Sequence, residues 1–261
     1  MQHRVLVPLV TPLDDAGAVC KRSVAQLVSC LRDSVSGYIP CLSSGEGWLL
    51  DAARWEAMVR CTLELAEPRM VIAGIERATT DEAVEAARRA RWLGATAVML
   101  TPPFGAEVDP RRTLEHYRAV HDLGGLDIYL YNESRLSGHV TAFETLLSVA
   151  ELPRVMGIKD SISGGRERSQ IAALRSRGVA YYVGWEHQLA NGLPIDGCVV
   201  ALANLEPALC RLGLASAEPP VRAEIHRLTE LYSLFDDDWF RRIKRVLRAR
   251  GVITSERALT S

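Results

Sequence analysis

Lys159 ends the run Val155-Met156-Gly157-Ile158, a short apolar stretch closed by a single cation. A lysine so placed has its stem packed along a strand and its amine at the strand's end. Where that amine is desolvated its pKa falls, and the neutral form attacks a ketone to give an imine. The other reading is a strand-end lysine that snorkels to water, and spacing alone leaves both open. Tyr131 ends the preceding run, Ile128–Tyr131, and in a sheet of sequential parallel strands it lies beside Lys159. A phenol near a cationic imine serves the proton transfers of the carbinolamine and acts as a base at a substrate hydroxyl. Taken alone, Tyr131 reads more readily as a core tyrosine with a satisfied hydroxyl. Ser43-Ser44-Gly45-Glu46 adds two small hydroxyls and turn amides, a nest suited to a carboxylate. Serine and glycine in a loop are also ordinary turn residues.

Other chemistries find less support. No His-x-x-x-His or comparable cluster is present, and His116 and His121, five apart on a helical stretch, read as surface residues; a metal site is not expected. There is no Gly-x-Gly-x-x-Gly and no phosphate loop. Gly164-Gly165-Arg166 reads as a helix-entry turn rather than an anion site. The 261 residues carry a formal net charge of -1, with basic residues spread along the chain, so there is no field for nucleic acid. No apolar run approaches the ~18–20 residues that span a bilayer, and Met1–Val7 leads directly into a strand-like run without a signal-peptide pattern. The cysteines at 20, 30, 41, 61, 198 and 210 form no Cys-x-x-Cys pair, and they read as reduced core residues of a cytoplasmic protein. Cys41, near a strand end, is the one with a reactive alternative.

The elements that must position these residues follow from hydrophobic period. Eight short apolar runs recur at about 30-residue spacing: Val5–Val10, Tyr38–Leu42, Met70–Ile75, Ala97–Leu100, Ile128–Tyr131, Val155–Ile158, Tyr181–Val183 and Cys198–Ala203. Near-continuous apolar strands are what a parallel sheet covered on both faces requires. Amphipathic stretches lie between them, including Ser23–Leu31, Trp55–Leu65, Glu82–Leu93, Leu114–Val120, Phe143–Val149 and Ser169–Leu174, with Asp51, Thr80 and Thr141 as expected N-caps. The seventh unit is atypical, since Glu186–Pro194 has room for only a short helix. The expectation is an α/β fold, a (β/α)8 TIM barrel with additional C-terminal helices. Residues 1–205 form the barrel; 206–261 hold its last helix and a helical extension over Glu206–Leu214, Val221–Leu234 and Trp239–Arg250, in the same structural unit. In such a barrel active-site groups project from the C-terminal strand ends. Those ends present Thr11, Ser43-Ser44-Gly45-Glu46, Glu76, Thr101-Pro102-Pro103-Phe104, Tyr131-Asn132-Glu133, Lys159-Asp160, Gly184 and Asn204.

With these residues in order, the chain resembles the dihydrodipicolinate synthase and N-acetylneuraminate lyase superfamily of pyruvate-dependent class I aldolases. The likeness runs from residue 5 to about 207 through Pro8-Leu9-Val10-Thr11-Pro12 with Gly17, Ser43-Ser44-Gly45-Glu46, Arg54-Trp55-Glu56, Val71-Ile72-Ala73-Gly74, Thr101-Pro102-Pro103, Tyr131-Asn132, Gly157-Ile158-Lys159-Asp160, Gly184 and Ala203-Asn204 with Pro207. The resemblance implies that Lys159 forms the Schiff base, that Tyr131 and Ser43 relay protons, and that Ser44 and the turn amides, Gly45 among them, hold the keto-acid carboxylate. It implies that Gly184 and the Val199 backbone line the same pocket, that no cofactor beyond the covalent lysine imine is used, and that the chain forms a homodimer or homotetramer. Its substrates would be a 2-keto acid and an aldehyde. Several departures stand out. Phe104 occupies the place of a relay tyrosine, Glu133-Ser134 follows Tyr131-Asn132 where a proline is usual, and Leu136, with Arg135 one residue off, replaces a substrate-binding arginine. Leu42 stands where a glycine is common before the hydroxyl pair, and the C-terminal helical region is shorter than in many members. These argue against dihydrodipicolinate synthase proper and make Glu133 and Arg135 candidates for contacting a different second substrate. The expected function is a carbon–carbon lyase. The alternatives are an imine-dependent hydro-lyase or hydratase-aldolase, and a diverged keto-acid-binding paralogue without catalysis.

Overall fold

Each of the eight apolar runs becomes a strand, and each stretch of helical period between them covers its outer side. The computed structural model describes residues 4–259; the first three residues of the expected barrel unit and the last two of the C-terminal unit lie outside the described residues. The strands are β1 (Arg4–Pro8), β2 (Gly37–Ile39), β3 (Met70–Ile75), β4 (Ala97–Leu100), β5 (Asp127–Asn132), β6 (Val155–Asp160), β7 (Ala180–Val183) and β8 (Gly197–Cys198). They pair in sequence order, all parallel, and β8 closes on β1. The helices are α1 (Lys21–Leu31), α2 (Ala52–Ala66), α3 (Thr80–Trp92), α4 (Pro110–Gly124), α5 (Phe143–Val149), α6 (Arg168–Arg175), α7 (Pro207–Ala215), α8 (Pro219–Leu231) and α9 (Trp239–Ala249). The fold is a (β/α)8 barrel with C-terminal helices, as the spacing predicts.

Period-two alternation divides the strands between two cores. Leu6, Ile39, Ile72, Met99, Tyr129 and Tyr182 point into the barrel, while Val7, Tyr38, Val98, Leu130 and Ile158 pack outward beneath the helices. The same alternation decides which strand-end residues meet inside. Tyr131 follows Tyr129 on the inner face of β5, Lys159 follows Gly157 on that of β6, and register sets Tyr131 opposite Lys159.

Several local expectations are corrected. Asp51 caps α2 through Arg54 N, but α3 is capped by Thr79 rather than Thr80. Thr79 and Glu82 exchange side-chain and backbone bonds as a capping box, which sets Thr80 as the first helical residue. Ala142, not Thr141, is the N-cap of α5. The last run pairs only over Gly197–Cys198 and then turns into a single 3-10 stretch at Ala201–Asn204. There Asn204 bonds the Pro8 carbonyl and the Val10 amide and ties the end of β8 to β1. His116 and His121 are buried rather than on the surface. The ring nitrogens of His116 meet Thr80 Oγ1 at 2.9 Å and the Thr101 carbonyl at 3.2 Å, and burial lowers its pKa to about 4. Cys30 is exposed and Cys20 half-buried, so only Cys41, Cys61, Cys198 and Cys210 are core residues. The Cys41 thiol donates to Trp55 O, and burial pushes its pKa up, which removes the reactive reading.

The C-terminal helices do more than cover the barrel. α9 buries Phe240, Ile243, Lys244 and Leu247, and Lys244 reaches Glu46 at the end of the Ser43–Gly45 turn. Both side chains of this ion pair are fully buried. Lys244 also donates to the Arg257 carbonyl, and the second Glu46 oxygen accepts from Leu259 N. Glu46 itself has φ 59°, and Cys41 on the other side of the turn has φ 64°. Non-glycine residues in this left-handed region cost about 1–3 kcal/mol each. The turn is thus held in a strained form by contacts some 200 residues away. Lys244→Ala leaves the Glu46 carboxylate buried and uncompensated, and the expected loss is about 3–5 kcal/mol of folding free energy in urea titrations. The double variant Glu46→Gln/Lys244→Met should recover much of that loss; a double variant as unstable as the single one would exclude the ion pair as the cause.

Candidate active site

A cavity of about 240 Å3 opens at the C-terminal end of the barrel. Of the residues that spacing and resemblance single out, Ser43, Ser44, Tyr131, Glu133, Arg135, Lys159, Gly184 and Val199 all line it. Gly45 does not. Its amide is bonded to the Leu42 carbonyl at 2.6 Å and its carbonyl accepts from Thr11 Oγ1 at 2.7 Å, so it shapes the turn from behind. The Gly47 amide also returns to Leu42 O, whereas those of Ser43 and Ser44 have no backbone partner among the described residues. They are the turn amides available to an anion.

Lys159 is 5% exposed, with its Nζ 3.8 Å from the centre of the Tyr131 ring. Burial pushes the amine down to about 8, against the opposing pull of the Glu76, Glu186 and Glu133 carboxylates. The stem is fixed from the outer face of β6. Asp160 accepts from Asn132 Nδ2 at 2.7 Å, Arg166 Nε at 2.7 Å and the Tyr181 hydroxyl at 3.3 Å, locking the ends of three neighbouring strands. This also places Arg166 in a buried ion pair, so the Gly164-Gly165-Arg166 turn serves Asp160. Gly184 gives the end of β7 close passage, since a Cβ there would displace the Ser161 hydroxyl and lie 3.0 Å from the Asp160 carbonyl.

The Tyr131 hydroxyl lies 3.3 Å from Ser43 Oγ, and burial raises its pKa far above the ordinary phenol value. Ser43 in turn donates to Glu76 Oε1 at 2.5 Å. Ser44 Oγ accepts from Trp239 Nε1 at 3.3 Å. Glu133 lines the cavity, but its carboxylate caps its own loop, accepting from Leu136 N and Ser137 N at 2.9 and 3.0 Å. Arg135 stands at the mouth, ion-paired with Asp237 and stacked 5.5 Å from the Trp239 ring.

Sequence reasoning passed over several residues. Glu186 is buried on the cavity wall, accepts from Leu202 N, and has its carboxyl pKa raised by burial. Trp48, Trp185, Phe235 and Trp239 surround the mouth. Glu76 stood at a strand end without a role; the signal available was a carboxylate closing a wholly apolar run. Trp239 carried no such signal, since 195 residues separate it from Ser44.

A closed eight-stranded barrel with a buried lysine at its C-terminal mouth, its amine pushed toward the neutral form by burial, has the arrangement that barrel lyases working through a lysine imine require. The chain belongs to the dihydrodipicolinate synthetase family, whose sequence profile matches residues 1–259 and whose members are pyruvate-dependent Schiff-base lyases. It is 30% identical to the 4-hydroxy-tetrahydrodipicolinate synthase of Anaplasma marginale (strain Florida) over 210 residues, 78% of this chain and 69% of that one. It is 31% identical over 222 residues to the enzyme of the same name from Stenotrophomonas maltophilia (strain R551-3), covering 81% and 74%. Among solved structures, the dihydrodipicolinate synthase from Acinetobacter baumannii complexed with pyruvate superposes with a TM-score of 0.89 at 25% identity, covering 99% of this chain and 92% of the other. A prophage protein of the dihydrodipicolinic acid synthase family from E. coli K12, in complex with pyruvate, shares the fold at a TM-score of 0.88 and 22% identity over 98% and 91%.

The chain has three lysines, which makes the electrostatics of Lys159 directly measurable. After reductive 13C-methylation, NMR should show the Lys159 amine titrating near 8. Lys21, on the surface with Glu64, should titrate above the ordinary lysine value. A Lys159 midpoint above 10 would mean that the amine is hydrated.

Proposed function

We propose that this chain is a carbon–carbon lyase in which Lys159 forms an imine with pyruvate or a related 2-keto acid and an aldehyde is the second partner. The observation that carries this reading is the buried Lys159 amine, held beside Tyr131 and facing the Ser43–Ser44 turn across one cavity. The neutral amine adds to the keto carbon, and loss of water from the carbinolamine leaves a cationic imine. Removal of a proton from the adjacent carbon gives the enamine, whose carbon attacks the aldehyde; cleavage is the reverse. Tyr131 and Ser43 carry the protons. The Ser43 and Ser44 amides, with the Ser44 hydroxyl, receive the carboxylate. Gly184 and Val199 leave room for the keto acid. No cofactor or metal is needed, because the imine itself is the electron sink.

We infer that the aldehyde is neutral and apolar, aromatic rather than carboxylated. Trp48, Leu136, Trp185, Leu234, Phe235 and Trp239 line the mouth, and the Trp185 and Trp239 indole N–H groups are bonded to Ser161 O and Ser44 Oγ, so that their rings present apolar faces. Among the described lining residues the cations are Lys159 and Arg135, and Arg135 is paired with Asp237. Glu133 has its carboxylate oxygens engaged by its own loop and Arg135 is paired with Asp237, so beyond Lys159 no unpaired cation among the described lining residues stands to receive a second carboxylate. Leu136 on the wall supports a reaction other than that of dihydrodipicolinate synthase. The family resemblance supports a homodimer or homotetramer. A cytoplasmic location is supported by the free cysteines, including Cys198 and Cys210 in side-chain contact. No described helix is long and apolar enough to cross a membrane.

Borohydride reduction in the presence of pyruvate should leave a pyruvyl adduct on the peptide containing Lys159 and none in Lys159→Ala. A folded wild type without adduct would end the Schiff-base reading. Tyr131→Phe should keep the adduct and lower kcat by about 10²- to 10⁴-fold. In an aldehyde panel with pyruvate, benzaldehyde-like acceptors should exceed carboxylated ones of similar size by at least about tenfold in kcat/KM, the value of burying some 1.4 kcal/mol of apolar contact. Equal rates would refute the apolar assignment and leave the imine untouched.

A further inference from the structure

Ser43 has a single hydroxyl proton, and when Glu76 is ionised the 2.5 Å bond commits it to Glu76 Oε1. In the 3.3 Å contact between Ser43 and Tyr131 the phenol must therefore be the donor. The hydrogen bonds run in one direction, from Tyr131 through Ser43 to a carboxylate. Glu76 is 1% exposed, and its other oxygen, Oε2, is buried without a hydrogen-bond partner among the described residues. That oxygen lies against Gly47, 2.8 Å from where a Cβ would stand. The neighbouring Arg77 does not neutralise it, since its guanidinium is bonded to the Gly47, Glu76 and Leu50 carbonyls. A carboxylate buried with one oxygen unbonded weakens a fold. Such a group in a strand-end position calls for a chemical reason.

We propose that Glu76 is a positioning residue of the proton relay and its store, taking the proton that Tyr131 and Ser43 remove from substrate and giving it back. This rests on the Schiff-base reading of Lys159. In the forward step a C–H bond next to the imine carbon breaks and its electron pair becomes the enamine double bond, while the imine nitrogen takes up the C=N pair. The proton passes to the Tyr131 oxygen as the phenol proton moves to Ser43 and the serine proton to Glu76, which ends as the neutral acid. When the enamine carbon attacks the aldehyde, the same chain runs backwards and delivers the proton to the new alkoxide. No further acid, base or oxidant is required.

The groups facing Glu76 fit this role. From the other elements they are Lys159 on β6, Glu133 after β5, Tyr131 on β5 and the Cys41 thiol after β2, with Arg77 adjacent in the chain. Burial, with the Glu133 charge adding to it, pushes the Glu76 carboxyl up to about 8, close to neutrality, where a store that must both accept and return a proton works best.

Exchange of the pyruvate methyl protons in D2O, followed by 1H NMR, reads this step without the aldehyde. At saturating pyruvate Lys159 is held as the imine, so the pH dependence of the exchange rate constant reports the relay. In the wild type it should rise with pH as Glu76 ionises and then level, with its inflection below the free-site value of about 8 because the imine cation faces the carboxyl. Glu76→Gln should still yield the borohydride adduct on Lys159 but exchange about 10²-fold more slowly, with the inflection gone and thermal stability equal or higher. Exchange at the wild-type rate and with the wild-type profile would overturn the proposal. So would a Glu76→Gln protein with unchanged profile and lowered melting temperature, which marks a structural role. Should Glu76→Gln not fold, Ser43→Ala severs the same bond and must also remove the inflection; its retention overturns the relay. A wild type without adduct refutes the imine reading and this proposal together, whereas an adduct with no effect of Glu76→Gln refutes this one alone.

Discussion

A primary amine is a nucleophile only while it is unprotonated, and the upper end of this barrel is built around a lysine withdrawn from water. Removing an ammonium from solvent favours its neutral form, yet three carboxylates, Glu76, Glu133 and Glu186, stand close enough to pull the other way. The first effect is the larger. It is sustained because Lys159 is held in register between Tyr131 and Tyr182 on the adjoining strands and is buried, with its amine 3.8 Å from the Tyr131 ring. Asp160, one residue on and facing outward, is pinned by Arg166, Asn132 and Tyr181. A strand end that frayed would admit water to the amine and return it to the ordinary lysine range.

The turn across the cavity depends on a different constraint. Ser43 and Ser44 sit between two non-glycine residues of positive φ, and a conformation of that kind persists only where surrounding contacts over-determine it. Here they come from the far end of the chain. Lys244 and Leu259 hold Glu46, and Trp239 holds the Ser44 hydroxyl. The C-terminal helices are therefore part of the site: α9 anchors the turn that faces Lys159, and its first residue forms one wall of the mouth. A barrel ended after α7 would keep its strands and lose the geometry of its carboxylate turn.

How much of this was legible in the sequence follows from the range of the interactions. Strand-end residues brought together by register were accessible, because a 30-residue repeat of apolar runs dictates a sequential parallel barrel, and that barrel puts Tyr131 beside Lys159. The caps slipped by one residue at Thr80 and Thr141, since Thr79-Thr80 and Thr141-Ala142 offer adjacent candidates that only backbone geometry separates. The helix pattern suggests a surface position for His116, because it does not reveal that both ring nitrogens find partners on α3 and at the end of β4. Gly45 was read as an anion donor, and what the sequence does not say is that its amide closes the turn internally. The aromatic mouth was the least legible part. Trp48, Trp185, Phe235 and Trp239 are dispersed over nearly 200 residues, and none lies at a strand end whose register could be counted.

The Glu76–Lys159 pair links the two halves of the proposed chemistry. In the free site the two groups are shifted by burial in opposite senses toward the same value of about 8, so that each is close to changing charge at neutral pH. Formation of the imine removes one of these freedoms, because the nitrogen bears a positive charge that no longer depends on a lysine proton. A fixed cation facing Glu76 lowers the carboxyl's pKa and favours the ionised form. The base at the end of the Tyr131–Ser43 chain is thus strengthened by the covalent step that creates the need for it. Once the C–H proton has been taken up, the imine cation is discharged into the neutral enamine and the carboxyl pKa rises again, so Glu76 keeps the proton until the alkoxide demands it. An acid exposed to solvent would be screened from this change, whereas a carboxyl sealed behind Gly47 and Ser43 feels the imine charge appear and disappear.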